Sequence, residues 1–549
     1  MKSIKNIYLL LILGILCLAG SGCSDASLSS SKPCVDNLDC PLDKECDLDT
    51  FQCVDKDLPK PLSVIDLELT PVKGSGNSTT QSTIDLEQVD NTNEINLEVV
   101  SAELLVGQIT SPDVMGGIPG TLVATRSPDF DNRKLTWNIS VNESGDFETE
   151  LSPGVYDLLF KPSNREGFPQ ISLTGFEIPA EQSPDLSYHK FDNPEQDPPL
   201  VISGRVLEKQ THLEPVANIK VEGITNQGLR TSITEPDAQG YFELRLPFSR
   251  YVEPDGDYQD VYPETIDITI RPSNSEVRLP TVTVPGVELI GTELGTFYIG
   301  DVPDTVVFSG VIVDKRGRPL PECQLRFTAD NIGNGTFSDQ IESDSTGNFM
   351  TPLPMGTYTV MGVPDLLCEA AIGSEIVELT AALTKNIQLP DRAILSGTVT
   401  DDERIPVKDV IVEAKRLSTV SGVDDGVVRT FEVITEADGH FEIPVDMGRY
   451  RITMIPSAEG GLPRSLPTVA YVLEDYVMDS SATRLAPPTV IQGHVFGQNG
   501  AMPLCGVTID VFHSDENNAY LIGQTISGSV VEECSGSFAV IIPGNLLSQ

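Results

Sequence analysis

Histidines, cysteines and carboxylates are where this chain could do chemistry. One H-x-x-E, "HSDE" from His513 to Glu516, has the spacing with which a zinc hydrolase presents two ligands. Such a site needs a third ligand, and no histidine follows; the motif also sits in a predicted loop of a small β-rich unit. It is read as coincidence. His189, His212, His440 and His494 are scattered, and no G-x-S-x-G elbow, H-E-x-x-H or P-loop occurs. The 81 acidic residues outnumber 36 basic ones for a net charge of −45, which repels nucleic acid and anionic lipid. No D-x-[DN]-x-[DN]-G loop followed by a glutamate collects those carboxylates around calcium. The expectation is a non-enzymatic chain with no cofactor, no metal site and no nucleic-acid partner.

The start, "MKSIKNIYLLLILGILCLAGSGCS", has Lys2 and Lys5, then an apolar run through Leu18, then small residues. This is the pattern of an export signal, and it is short for a membrane span. Gly20, Ser21 and Gly22 lead into Cys23, an ending that resembles a bacterial lipoprotein signal, although Gly20 stands where leucine is usual. The resemblance implies that Cys23 is acylated, that acyl chains hold the protein on a membrane and, with Ser24 next, that the membrane is the outer one.

Setting aside Cys17 and Cys23, eight cysteines remain, an even number in an exported chain, so disulfides are expected. Cys34, Cys40, Cys46 and Cys53 crowd a polar stretch too short for a core. It resembles the four-cysteine EGF-like or dickkopf-like knots behind the anchors of many bacterial surface proteins. Three pairings are open; beside that resemblance the expected one is Cys34–Cys46 with Cys40–Cys53. The spacings lack the C-x-x-C pairs of zinc ribbons. Cys323 with Cys368, and Cys505 with Cys534, are expected to staple one domain each.

The elements that carry these residues come from a repeat. "GDFETELSPGVYDLLFKPS" from Gly145, "GNFMTPLPMGTYTVMGVP" from Gly347 and "GHFEIPVDMGRYRITMIPS" from Gly439 each place a tyrosine 11 residues after the glycine and a proline 6 further on. Upstream, a glycine recurs inside short β-rich runs at 107, 204, 310, 397 and 493, with separations of 97, 106, 87 and 96 residues. That period is the size of a domain. The second unit carries an insertion, "YVEPDGDYQDVYPET", which sets Ile266 in the tyrosine's place. Alternating apolar residues broken by turns such as "EADG" and "DSTG" predict β-sandwiches. The turn glycine is expected at φ > 0 and the aromatic after it in the core; Tyr156, Tyr358 and Tyr450 are expected as core residues with hydroxyls tied to backbone.

"SGTVTDDERIPVKDVIVEA…TEADGHFEIPVDMGRYRITMIP" resembles the carboxypeptidase regulatory-like domain, a seven-stranded transthyretin-like sandwich related in shape to starch-binding modules and adhesin stalks. The resemblance covers most of residues 100–549 and implies an accessory, spacer or binding module. The fold class expected is all-β, a tandem array of small Greek-key/transthyretin-like β-sandwiches after a short disulfide-rich segment. The divisions are 1–22 signal peptide, 23–33 lipid-attached tether, 34–54 Cys-rich segment and 55–105 a β-rich half unit. Sandwiches follow at 106–198, 199–304, 305–392, 393–489 and, incomplete, 490–549. The function expected is a membrane-anchored, exported cell-envelope lipoprotein acting as a structural and adhesin-like array, with an unknown protein or glycan ligand. The alternative is a carbohydrate-binding surface protein, against which stands a single tryptophan, Trp137.

The two fragments at the ends raise a question of partnership. "IDLELTP" (Ile65 to Pro71) matches "IDITIRP" (Ile266 to Pro272) and reads as the back of a unit, whereas Gly493 to Phe538 reads as a front. Half a sandwich exposes unpaired edges. Either the two fragments complement one another, or the early strands pack on the first full unit while Cys505–Cys534 holds the last one.

Overall fold

The computed structural model describes residues 64–546 apart from 87–93, 112–115, 127–134, 179–183, 185, 188–200, 209–213, 253–257, 420–421, 423–424, 458–459, 498–501, 515–517 and 529–533. It also describes the backbone of Lys44–Asp47 and Gln52–Asp55. Two compact units divide at residue 60. In the first, Lys44–Asp47 and Gln52–Asp55 form an antiparallel hairpin in which Cys46 and Cys53 are register partners. The second is all-β, a series of small sandwiches.

The fourth sandwich shows the plan. Its seven strands are Ala393–Thr398, Ile411–Ser418, Thr430–Ile434, His440–Val445, Gly448–Ile455, Thr468–Val472 and Tyr476–Val477. One sheet runs fourth-first-seventh, with the seventh strand parallel to the first; the other runs third-second-fifth-sixth. Side chains alternate between core and solvent, so Tyr450, Ile452 and Met454 of the fifth strand are buried with Val412 and Ala414 of the second. The third sandwich repeats this order.

The glycine of each first strand has a steric reason. Gly107, Gly204, Gly310, Gly397 and Gly493 are register partners of Phe147, Phe242, Phe349, Phe441 and Phe538 on the fourth strand. A Cβ on Gly107 would lie 2.4 Å from the Phe147 ring, and one on Gly204 2.5 Å from that of Phe242. At Gly107, Gly204 and Gly397 the ring lies across the bare glycine, whereas at Gly310 and Gly493 a carbonyl oxygen, of Lys385 or Ile95, comes nearest. The turn before each phenylalanine holds Gly145, Gly240, Gly347, Gly439 and Gly536 at φ of 79°, 84°, 79°, 74° and 66°, as expected of a glycine-requiring turn.

The ends of the chain meet in one sandwich. Pro488–Gly497, Thr508–Ser514, Ala519–Ile526 and Ser537–Pro543 supply its first four strands, and Val64–Thr70, Thr80–Asp85 and Ile95–Val99 its fifth, sixth and seventh. Val64–Thr70 pairs antiparallel with the second strand, and Ile95–Val99 pairs parallel with the first, the same orders as in the fourth sandwich. Ile65, Leu67, Leu69, Ile84, Leu86, Leu97 and Val99 share a core with ten buried apolar residues from Ile491 to Leu546. At about 1.5–3 kcal/mol per fully buried aliphatic side chain, those seven contribute a gross stabilisation of about 10–20 kcal/mol to that sandwich.

The inserted residues of the second sandwich build on its neighbour. Phe248–Val252 pairs parallel with Ile171–Ile178, the sixth strand of the first sandwich, and Tyr258–Val261 pairs outside it, extending that sheet to six strands. Arg250 is 1% exposed and donates to both carboxylate oxygens of Asp260 through Nε and Nη2, at 2.5 and 2.9 Å.

Candidate interaction site: the junctions between sandwiches

What the sequence singles out as chemistry falls apart in space. His513 is not on a loop; it is buried near the end of the strand Thr508–Ser514, opposite Tyr520. Glu516 lies outside the described residues, as do Cys23, Cys34 and Cys40. Among the described residues no group of histidine, cysteine and carboxylate side chains could hold a metal ion. No helix there is long and apolar enough to cross a membrane.

The Cys505–Cys534 bond is formed and ties the loop after the first strand to the loop before the fourth. The expected Cys323–Cys368 bond is not: both are free thiols. Cys323 is buried with its S–H toward the Gln324 carbonyl at 3.8 Å, while Cys368 accepts from the Ala370 N–H at 3.5 Å. Each sulfur is thus turned to its own local backbone. Burial, aided by the nearby Cys368, pushes the Cys323 thiol up to about 12.

The tyrosines behave as expected. Tyr156, Tyr358 and Tyr450 are fully buried, and their hydroxyls donate to the carbonyls of Ser152, Pro354 and Asp446 at 2.8, 2.7 and 2.8 Å. Trp137 is partly buried and packs on Tyr156 with ring centroids 5.7 Å apart.

Charge gathers instead at the junctions, which the repeat does not announce. Between the first and second sandwiches Glu222 is 5% exposed and meets three arginines: Arg165 of the first sandwich, Arg271 at 3.0 Å and Arg230 at 3.5 Å. Burial pushes the Glu222 carboxyl up, but the hydrogen bonds and charges of Arg165 and Arg271 outweigh it and hold the group below its ordinary value. Backbone joins in, with Ile233 N–H donating to the Arg165 carbonyl at 2.8 Å.

Between the second and third, Arg278 binds Asp339 at 2.5 Å, and Thr281 and Thr336 exchange two backbone hydrogen bonds at 2.9 Å. Between the third and fourth, Asp446 is fully buried. It accepts from Arg429 at 2.9 Å and from the Ile372 N–H of the third sandwich at 3.0 Å. Arg429 also reaches the Pro364 carbonyl, and Arg392 donates to the Leu366 carbonyl at 2.7 Å. Between the fourth sandwich and the last, the Arg451 guanidinium lies 5.4 Å from the centre of the Tyr520 ring.

A buried carboxylate with its arginines and backbone donors is satisfied only in one geometry, and removing a partner leaves an uncompensated charge. The junctions at Glu222 and Asp446 are therefore held in one arrangement rather than joined by loose linkers. Sequence reasoning missed them because charged residues at irregular spacing look like any solvated face.

A polar cleft of about 240 Å³ opens where the inserted strands leave the second sandwich, lined among others by Asn226, Gln227, Tyr251, Tyr262 and Glu264.

No family model and no curated protein matches the chain. Among solved structures, a streptococcal ancillary pilin overlaps 52% of this chain and 99% of its own at 12% identity and a TM-score of 0.22. The Bacillus anthracis TIE protein overlaps 78% and 76% at 12% identity and 0.16. The shaft pilin SpaA of Lactobacillus rhamnosus GG overlaps 34% and 97% at 10% identity and 0.19. Overlaps this loose carry no weight for what this chain does.

Proposed function

We propose that this chain is a membrane-anchored cell-envelope lipoprotein that acts as a non-enzymatic structural and interaction array. The observation that carries this is the set of buried and part-buried arginine–carboxylate contacts at successive junctions, Arg165–Glu222, Arg278–Asp339 and Arg429–Asp446. An array so tied holds its sandwiches in fixed relation, which suits a scaffold that presents a surface to a partner. The export signal and Cys23 supply the anchor in this reading, and the Cys-rich segment separates anchor from array. Metabolic labelling with a fatty-acid analogue tests it: the wild type is tagged and Cys23→Ala is not, and equal tagging of both would refute the anchor. A glycan partner has one feature in its favour, the cleft lined by Tyr251, a residue 39% exposed, together with Asn226 and Gln227. Glycan-array binding that Tyr251→Ala abolishes would favour that second reading.

A further inference from the structure

The sandwich built from both ends of the chain has no covalent link between its fourth and fifth strands. We propose that it is an exchangeable joint: residues 64–99 of one copy can take the fifth, sixth and seventh strand places beside residues 488–546 of a second copy of this chain, joining copies head to tail.

Three observations carry this. First, the joint between the halves is wholly non-covalent. Asp66 to Thr70 pair with Phe512 to Thr508, Ile95 to Val99 pair with Gly493 to Gly497, and Ser514 Oγ donates to Asp66 at 2.7 Å. Second, the receiving half is stapled within itself. Cys505–Cys534 fastens the loops on either side of the second and third strands, so the first four strands stay tied to one another when the donor leaves. Third, the two halves are complementary by construction, because each leaves the other a sheet position and part of a core. An open receiver exposes the edges of two sheets, which strand pairing covers best.

The same contacts form whether donor and receiver belong to one copy or two. What differs is concentration. A donor on the same chain is held by the array beside its own receiver, so closed single chains dominate in dilute solution and joined copies appear as concentration rises. A head-to-tail contact of this kind uses different surfaces on the two copies, so it propagates as an open chain or closes as a ring.

The test uses the full chain. Thr70 and Thr508 are register partners across the joint. An isotopically heavy Thr70→Cys chain is mixed with a light Thr508→Cys chain from micromolar to near-millimolar concentration and treated with a short bis-maleimide. The double variant Thr70→Cys/Thr508→Cys, which links within one copy, sets the yield for a closed joint. The expected result is a linked peptide containing residues 70 and 508 with one heavy and one light half, rising with concentration. Light scattering should then show masses in whole-chain multiples. A constant single-chain mass without the hybrid peptide overturns the proposal. So does a rising mass without it, because the copies then join elsewhere.

Discussion

Leu67 is the place to ask whether the two ends of the chain form one cooperative sandwich. It is 1% exposed, opposite Val511 in the register, and shares its core with Ile509, Ile522 and Val540. Leu67→Ala removes three carbons and leaves a cavity walled by residues more than four hundred positions away, a change that costs about 2–5 kcal/mol. If residues 64–99 and 488–546 open together, that cost falls on the local opening equilibrium of both segments. At a factor of ten per 1.4 kcal/mol, protected amides in 488–546 should exchange with deuterium roughly 30- to 4,000-fold faster. Leu158→Ala, an equivalent deletion in the first sandwich where Leu158 is fully buried, should leave them unchanged. Mass-resolved hydrogen exchange of the two variants decides the matter. Unaltered protection of residues 488–546 in Leu67→Ala would refute the shared core, and so would equal loss in both variants, which would mean global unfolding rather than a local joint.

Gly493→Ala places its Cβ 1.8 Å from the Ile95 carbonyl oxygen, so backbone must shift; a loss of about 1–3 kcal/mol is expected in chemical unfolding of the last sandwich. Tyr450→Phe deletes the 2.8 Å hydrogen bond to the Asp446 carbonyl and should cost about 0.5–1.5 kcal/mol by thermal unfolding with the fold intact. Glu222 has a folded value below its ordinary 4.5, so its stabilisation is complete above that value and is lost as pH falls through the folded one. The thermal gap between wild type and Glu222→Gln should therefore narrow as pH drops from 7 to 3. At pH 8 the Cys323 thiol, buried and pushed up to about 12, should resist iodoacetamide while the more exposed Cys368 reacts, as peptide mapping would show.

Local rules made part of this structure readable from residues. The turn glycines needed φ > 0, the phenylalanines after them needed a core, and the tyrosine hydroxyls needed a nearby carbonyl; all are short-range demands that a repeated phrase makes visible. The choice of partner is long-range. Phe248–Val252 follows Tyr241–Arg245 of the second sandwich almost directly, yet it pairs with the first sandwich because the edge of Ile171–Ile178 is open to it there. His513 sits on a strand, not a loop, because Thr508–Ser514 pairs with Ala519–Ile526, setting it opposite Tyr520, while Val64–Thr70 arrives from far along the chain on the strand's other edge. Arg165, Arg278 and Arg429 follow no period, since each answers to a different neighbour.

The distribution of the tyrosine follows from the same topology. Its hydroxyl reaches the carbonyl four residues back, and that is possible only where the fifth strand begins directly after the fourth. In the first, third and fourth sandwiches the fourth strand ends at Leu151, Pro354 and Val445 and the fifth starts at Gly154, Gly356 and Gly448, and each has the tyrosine. In the second, Tyr241–Arg245 and Thr265–Pro272 are parted by the inserted strands; in the last, Ser537–Pro543 and Val64–Thr70 lie at opposite ends of the chain. Both have isoleucine in the tyrosine's place, Ile266 and Ile65, each buried. A buried tyrosine without a partner for its hydroxyl is unfavourable, so isoleucine is what the open connection selects. Ile266→Tyr tests this: with no tight turn to supply a carbonyl, it should destabilise the second sandwich, and a gain in its melting temperature would show that the hydroxyl finds a partner without the turn.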